Sequence, residues 1–98
     1  MSLRALVIHA DDNVANLIGP GRQGEEVACR VEGQDREVRV ALASDVPSNH
    51  KFAFADIKAG DLIVKYGMTI GKASADIPRG VHVHVHNVES TRGRGDLA

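Results

Sequence analysis

Histidine and valine alternate along residues 81–86, and this segment holds three of the five histidines in the sequence. If the segment is a β-strand, His82, His84 and His86 point to one face and the valines to the other, because successive side chains alternate. Neighbouring histidines on that face then lie roughly 6.5–7 Å apart, which allows two imidazoles to converge on one metal ion. A single strand presents all three in a line, so two histidines plus a residue from elsewhere form the favoured ligand set.

Residues outside the alternating segment could complete such a site. Asn87 and Asp12 offer oxygen ligands, and His50 offers another nitrogen. The competing interpretation is a solvated strand face with the valines in the core. The spacing alone favours this second interpretation, because an isolated His-X-His pattern lacks the four-ligand signature of structural zinc.

Two further segments carry groups that bind anions. Asn49, His50 and Lys51 are consecutive, and an imidazole beside an ammonium group can hold an anion or transfer a proton. A solvated junction between a loop and a strand explains these residues equally well. Arg92 and Arg94 stand on a glycine-rich segment and could close over a carboxylate or sulfonate through paired hydrogen bonds, although a solvated tail is the favoured interpretation.

The elements that must position these residues are short strands between Gly, Pro and Asp turns. Alternation of apolar and polar residues predicts a hairpin from strands over 26–31 and 38–42. Further strands are predicted over 3–9, 50–55, 62–67 and, without a break, 81–88, while 14–18 fits a helical turn or an extended piece and 70–73 a short piece. The pattern indicates an all-β sandwich, barrel or clip with minor helix, no internal repeat, and a polar tail over 89–98.

Composition excludes several classes of function. The chain has 98 residues, a net charge of -1 and three aromatic residues, so neither duplex binding nor base stacking on a basic face has support. No apolar run is long enough to span a membrane. The single cysteine, Cys29, cannot form an internal disulfide, which favours a reducing, cytoplasmic location. A domain this small has little interior for a closed site, so we expect another chain to supply part of any active site.

Five segments, kept in order and spacing between Asp12 and Val88, resemble the amino-terminal domain of the altronate/galactarate dehydratase family. They are Asp12-Asn13-Val14-Ala15, Val46-Pro47-Ser48-Asn49-His50-Lys51-Phe52-Ala53, Val64-Lys65-Tyr66-Gly67, Ile70-Gly71-Lys72-Ala73 and Val83-His84-Val85-His86-Asn87-Val88. One departure is Asn49, where the family often has Gly before the His-Lys pair. Asn tolerates positive φ better than most residues, so the turn is expected to persist.

The resemblance implies a mainly β fold of the SAF type, a small β-clip with short strands, as one domain over residues 1–98 with its core at about 3–88. In the family this domain is fused to a larger lyase domain or is a separate small subunit, as in (2R)-sulfolactate sulfo-lyase. The segment from Arg92 to Asp96 is similar to the separately encoded kind. The resemblance therefore implies a large lyase subunit as the partner.

The chemistry that the resemblance implies is β-elimination from a small anionic carboxylate, with loss of hydroxide or sulfite. A divalent metal, with iron(II) the expected ion, would stabilise the enolate-like intermediate, and a general acid would assist the leaving group. The implied roles are proton transfer for His50 and His86, metal ligation for His84 and His86, and substrate binding for Lys51, Asn49, Asp12, Asn13, Arg92 and Arg94. Asp12 and Asn13 are also expected to organise the neighbouring loop.

Two other classes of function stay open. One is a non-catalytic SAF-type module that binds a ligand or supports a partner. The other is a structural protein whose exposed strand edges pair between copies into a homo-oligomer. Binding of a divalent ion, and affinity for a large lyase chain, distinguish the enzyme subunit from both.

Overall fold

The computed structural model describes residues 3–35 and 37–91, and these residues form nine short strands. The strands are β1 (Leu3–Val7), β2 (Val14–Ile18), β3 (Glu26–Val31), β4 (Glu37–Ala41), β5 (Lys51–Ala53), β6 (Leu62–Lys65), β7 (Met68–Ala73), β8 (His82–Val83) and β9 (Val88–Glu89). The predicted mainly β class is confirmed. No helix in the described residues has the length and apolar character needed to cross a bilayer.

The strands form two sheets. The larger has the order β4-β3-β1-β2-β5-β8, and the smaller has the order β6-β7-β9. β1 and β3 are parallel, and the other neighbouring strands are antiparallel. The buried apolar side chains form two clusters. One includes Val27 and Cys29 of β3, and the other joins Ile63 of β6 to Val83 of β8.

The predicted hairpin over 26–31 and 38–42 is present as β3 and β4. Val27, Cys29 and Val31 are buried, while Glu26 and Arg30 are exposed, as the alternation predicts. Residues 14–18, for which the sequence left a helical turn or an extended piece open, form β2 and pair with β1. Glu89, expected to begin the tail, ends β9 and pairs with Lys72.

The predicted unbroken strand over 81–88 is wrong. β8 ends at Val83, a turn covers residues 84–87, and β9 then starts a separate sheet. Val83 is fully buried, but the Val85 side chain is 81% exposed, so the three valines do not share one core face. The Asn87 side chain causes the break by bonding to the backbone of His82 and His84.

One turn recurs four times, although the sequence analysis predicts no internal repeat. The turns, over residues 22–25, 47–50, 58–61 and 78–81, each have a hydrogen bond from the last N–H to the first carbonyl. The third residue has positive φ in every copy, and it is Gly24, Asn49, Gly60 or Gly80. The residue before each turn belongs to an isolated β-bridge, either Gly21–Val46 or Ile57–Ile77. A strand follows each turn, so the recurrent turns lead into β3, β5, β6 and β8.

Aspartates join the recurrent turns in pairs. The Asp56 carboxylate accepts a hydrogen bond from Arg79 N–H (2.9 Å), and the Asp76 carboxylate accepts one from Ala59 N–H (2.8 Å), on either side of the Ile57–Ile77 bridge. Asp45 accepts the corresponding bond from Gln23 N–H at 2.9 Å. Side chains therefore satisfy turn N–H groups that the sheets leave unpaired.

Candidate functional site

Three histidines meet where β5 and β8 pair at one end of the larger sheet. His50 ends a recurrent turn directly before β5, and His82 starts β8 opposite Phe52. His50 Nδ1 and His82 Nε2 are 2.8 Å apart, so one of these nitrogens donates a hydrogen bond to the other. The His84 ring stacks on His50 with the ring centroids 4.5 Å apart. We refer to His50, His82 and His84 as the histidine trio.

The histidine trio has the donor set of a metal site. One ligand nitrogen from each residue lies within 4.8 Å of the other two. Nitrogens bound to one ion at about 2.0–2.1 Å are roughly 3 Å apart, which is close to the spacing of the His50–His82 pair. Imidazole is a common ligand of zinc, copper, iron and nickel. The residues present therefore fit a divalent transition metal.

His86, predicted both as a ligand and as a proton-transfer residue, lies beside the trio. Its ring centroid is 5.2 Å from that of His82, but its nitrogens do not belong to the group that lies within 4.8 Å. Its side chain is exposed. The structure thus brings His50 and His84 together with His82, which the sequence analysis places in the stripe but not among the site residues.

Local electrostatics keep two members of the trio uncharged. Burial, followed by repulsion from His50, His86, His84 and Lys51, lowers the pKa of His82 to about 4. Desolvation, followed by repulsion from His50, Lys51 and His86, lowers the pKa of His84. His82 is therefore neutral at pH 7, and its free ring nitrogen is available as a ligand or as a hydrogen-bond acceptor.

Lys51 extends the site toward a groove. A depression of about 310 Å³ is lined by Lys51, Ile70, His84, Val85, Val88, Glu89 and Ser90. Desolvation, followed by repulsion from Lys65, lowers the pKa of the Lys51 ammonium. Within the described residues no carboxylate lies within salt-bridge distance of Lys51, and the Glu89 carboxylate is 3.4 Å from Lys72 instead. A partly desolvated ammonium without a carboxylate partner favours an anion at this place.

The side chains of Asp12 and Asn13, predicted to bind substrate, form hydrogen bonds with backbone groups instead. The buried Asp12 carboxylate accepts hydrogen bonds from the N–H groups of His9, Tyr66 and Gly67 at 3.2, 3.0 and 2.8 Å. The Asn13 side chain donates to Leu62 O and accepts from Val64 N–H, both at 2.9 Å. Both residues organise the β6–β7 hairpin, in line with their expected effect on the neighbouring loop.

Asn87, considered from the sequence as an oxygen ligand, also uses its side chain on the backbone. Its Nδ2 donates to His82 O at 2.9 Å, and its Oδ1 accepts from His84 N–H at 3.0 Å. Asn49 adopts the expected positive φ, at 66°. Arg92 and Arg94 lie outside the described residues.

Sequence reasoning missed His82 as a trio member because strand pairing brings it to His50. A signal was present in the recurrent turns, since Asp45-Val46-Pro47-Ser48-Asn49 and Asp76-Ile77-Pro78-Arg79-Gly80 share one pattern. Aligning these copies places His50 at the last position of one turn and His82 directly after the last position of the other. β5 and β8 are antiparallel, with Phe52 opposite His82, and their starts lie close together because the strands are only three and two residues long.

Comparison with known proteins identifies the family of the chain. Residues 3–91 match the family described as the altronate/galactarate dehydratase SAF domain. The chain is 44% identical over 88 residues to an altronate dehydratase of Escherichia coli, which covers 90% of this chain but only 17% of that protein. It is 34% identical over 93 residues to a (2R)-sulfolactate sulfo-lyase subunit alpha of Chromohalobacter salexigens, covering 94% of this chain and 99% of that protein.

A second sulfo-lyase subunit alpha, from Paracoccus pantotrophus, is 39% identical over 64 residues, which is 65% of this chain and 96% of that protein. The relatives thus include proteins of about this size and proteins in which this region is a small part. Since the family match spans both sheets, the histidine trio and His86, the chain belongs to the SAF domain family of altronate/galactarate dehydratases.

Proposed function

We propose that this chain is the small subunit of a lyase that catalyses β-elimination from a hydroxy- or sulfo-carboxylate, and that it completes the active site of a larger subunit. The observation that carries the proposal is the histidine trio at the edge of a groove, beside the Lys51 ammonium, which has no carboxylate partner among the described residues. The names of the relatives support the reaction class, because one is an altronate dehydratase and two are (2R)-sulfolactate sulfo-lyase subunits.

β-Elimination needs a cation near the carboxylate, a base for the α-proton and an acid for the leaving group. Lys51 provides the cation, since its ammonium is partly buried and no described carboxylate neutralises it. His86 is exposed beside the trio and can hold and release a proton, which suits it to protonation of the leaving group. The larger subunit supplies the remaining groups.

The histidine trio would hold the divalent metal that the reaction class implies. When bound, such an ion supplies Lewis acidity that stabilises negative charge developing next to the substrate carboxylate. His82 and His84 present neutral imidazoles for this purpose, because burial and neighbouring charges disfavour their protonation. Iron(II) is the ion that we propose.

The larger subunit is proposed because the groove is open and exposed apolar side chains form part of its rim. Val85 and Ile70, 81% and 42% exposed, flank the site. In the altronate dehydratase relative, 17% of the protein corresponds to this domain, so most of that enzyme lies elsewhere. A lyase chain seated on the rim would exclude water from the groove and strengthen its electrostatic interactions.

The first experiment is to purify the tagged full chain from its own host and identify bound proteins by mass. We expect a lyase-like chain in equal amount, and turnover of altronate, galactarate or (2R)-sulfolactate by the pair. His50→Ala and His84→Ala should each lower turnover by at least about 100-fold. His9→Ala removes a histidine outside the trio and is the matched control.

Two results would argue against the proposal. If the chain is recovered alone and turns over none of the three acids with any lyase chain of the host, it is a binding module or a self-associating protein. If the complex forms but the His50 and His84 variants keep full turnover, the domain supports the lyase without entering its active site.

A further inference from the structure

The turn that follows β8 sets the position of His84. Extended backbone would carry His84 along the line of β8, but the chain bends after Val83 and the His84 ring stacks on both His50 and His82. Its centroid is 4.5 Å from that of His50 and 5.4 Å from that of His82. His84 thus joins the trio from the first residue after β8, where the backbone has left the strand.

Asn87 makes that departure through its side chain. Its amide spans the two backbone groups that flank Val83, donating to His82 O at 2.9 Å and accepting from His84 N–H at 3.0 Å. Its own N–H donates to His84 O at 3.0 Å, and its carbonyl accepts from Ser74 N–H at 3.0 Å. Asn87 is 8% exposed, so these bonds are shielded from competing water.

From these contacts we infer that Asn87 is the positioning residue of the histidine trio. It holds the backbone on either side of Val83 and thereby fixes where both His82 and His84 present their rings. Ser44 supports the same point from the opposite side, because its Oγ accepts a hydrogen bond from His82 N–H at 2.9 Å. The inference rests on the proposed role of the trio and assigns Asn87 a task other than metal ligation.

The chain contains a matched control for this inference. Asn13 spans β6 in the same way, donating to Leu62 O and accepting from Val64 N–H, both at 2.9 Å. Like Asn87, it brackets two residues that are two apart in the chain, but both of its partners lie within strand β6 and no histidine stands there. Asn13→Ala and Asn87→Ala therefore remove the same two kinds of bond, and only the second is next to the trio.

The test has a spectroscopic and a binding arm, both on the full chain freed of metal. Long-range ¹H–¹⁵N spectra of the histidine rings report the His50–His82 hydrogen bond, and titration with Zn²⁺ alone reports affinity. We expect Asn87→Ala to shift the ring signals of the trio and to weaken Zn²⁺ binding about 10- to 100-fold, the range for residues that orient ligands. Asn13→Ala should leave both unchanged while lowering the urea midpoint to a similar extent.

A measurement without substitution guards against a variant that fails to fold. The His84 N–H lies in a turn, so it should exchange quickly with solvent unless the Asn87 side chain protects it. We expect slow exchange for this amide in the native protein. Rapid exchange, or an Asn87→Ala variant with unchanged ring spectra and Zn²⁺ affinity, would overturn the inference.

The two proposals fail in different ways. If the native chain binds no Zn²⁺ but Asn87→Ala still shifts the ring signals, the positioning role stands and the metal role proposed for the trio falls. If native and Asn87→Ala chains bind Zn²⁺ equally, the positioning role falls and the metal role stands.

Discussion

Gly60 and Gly80 have the same backbone conformation, with φ of +90° at each, but different surroundings. A Cβ at Gly60 would meet nothing within 4 Å, whereas one at Gly80 would lie 2.3 Å from Ala41 O and 2.9 Å from Ala43 N. Both positions penalise a side chain through φ, but Gly80 also needs the space. The recurrent turn before β8 therefore packs against the end of β4 only because residue 80 lacks a side chain.

The first prediction concerns this pair. Gly60→Ala should lower the free energy of unfolding by about 1–2 kcal/mol, the cost of a left-handed backbone with a Cβ. Gly80→Ala should cost clearly more, because backbone atoms must also move. Urea denaturation followed by circular dichroism measures both, and equal losses would mean that the close contact at Ala41 carries no weight.

The second prediction concerns Cys29, whose thiol is fully buried in the larger sheet. Desolvation raises its pKa from 9.0 to about 11, with a smaller opposing effect from Arg79. The unfolded chain therefore loses its thiol proton at lower pH than the native protein does. Native stability should be unaffected by this group below pH 9 and should fall as the pH rises from 9 to 11.

Cys29→Ser is the control, because it removes the titrating thiol. Its urea midpoint should change less between pH 9 and pH 11 than that of the native chain. A thiol reagent at pH 8 should likewise modify native Cys29 slowly and the unfolded chain quickly. Fast modification of the folded protein would contradict the burial of this side chain.

The candidate site could be predicted in part from single residues. His50, Lys51, His84 and His86 attract attention through their chemistry alone, since imidazole and ammonium groups concentrate in two short segments. Which histidines converge depends on the pairing of β5 with β8 and on the Asn87 side chain. Residue type does not encode either contact, so His82 could not be separated from His86 by spacing.

At the scale of elements, Asp12 joins the β1–β2 loop to the turn that links β6 and β7. Its carboxylate accepts hydrogen bonds from the N–H groups of His9, Tyr66 and Gly67. Tyr66 and Gly67 both have positive φ. A carboxylate can accept from all three because it has no hydrogen of its own. This one side chain thus fixes the end of the hairpin that carries Ile70 to the groove.

The third prediction follows from those bonds. Asp12→Asn replaces one acceptor oxygen with an NH₂ group that faces backbone donors, and should cost about 2–3 kcal/mol of unfolding free energy. Asp11→Asn, at an exposed neighbour, should cost less than about 0.5 kcal/mol. Urea midpoints and amide exchange at Tyr66 and Gly67 check this; unchanged exchange at both amides would rule out the proposed connection.

Elements with regular alternation were predictable, and those shaped by side-chain-to-backbone bonds were not. β3 and β4 follow from alternating valines because one face of each is buried and the other is wet. Residues 81–88 alternate as regularly, yet they form β8, a turn and β9. Asn87 competes with the ladder for backbone partners at His82 and His84, and hydrophobic periodicity does not register such competition.

At the scale of the whole molecule, the proposed subunit role requires a surface that holds the lyase chain over the groove. Val85 and Ile70 are apolar, exposed and on the groove wall. Leu6 is also exposed, at 37%, but lies with Ala28, Arg30 and Glu37 around a different depression. The two surfaces make the role of the rim testable.

The fourth prediction is that Val85→Ser weakens association with the larger subunit about 10-fold, the effect of losing one buried valine at an interface. Leu6→Ser should leave association unchanged. Both chains should keep the native circular dichroism spectrum, because neither side chain is in the core. Light scattering or calorimetry on the purified pair measures the affinity, and equal affinities would place the interface elsewhere.

The mainly β class of the molecule could be read from the sequence, whereas the recurrent turns left only a partial signal, the Asp-X-Pro pattern at two of the four copies. They share a conformation more closely than they share residues, since the residue at positive φ is Gly in three copies and Asn49 in the fourth. The pairing of Asp56 with Arg79 N–H and of Asp76 with Ala59 N–H becomes visible only when the chain is folded. Pattern analysis along the chain compares neighbours and does not compare distant turns.

The repetition of these turns bears on how the family could diversify. His50 is the last residue of one recurrent turn and His82 is the first residue after another, whereas Glu25 and Asp61 end the other two turns. A scaffold with four equivalent turns tolerates change at one turn while the other three preserve the architecture. New specificities could therefore evolve by exchanging one or two residues at the end of a single turn, without a new fold.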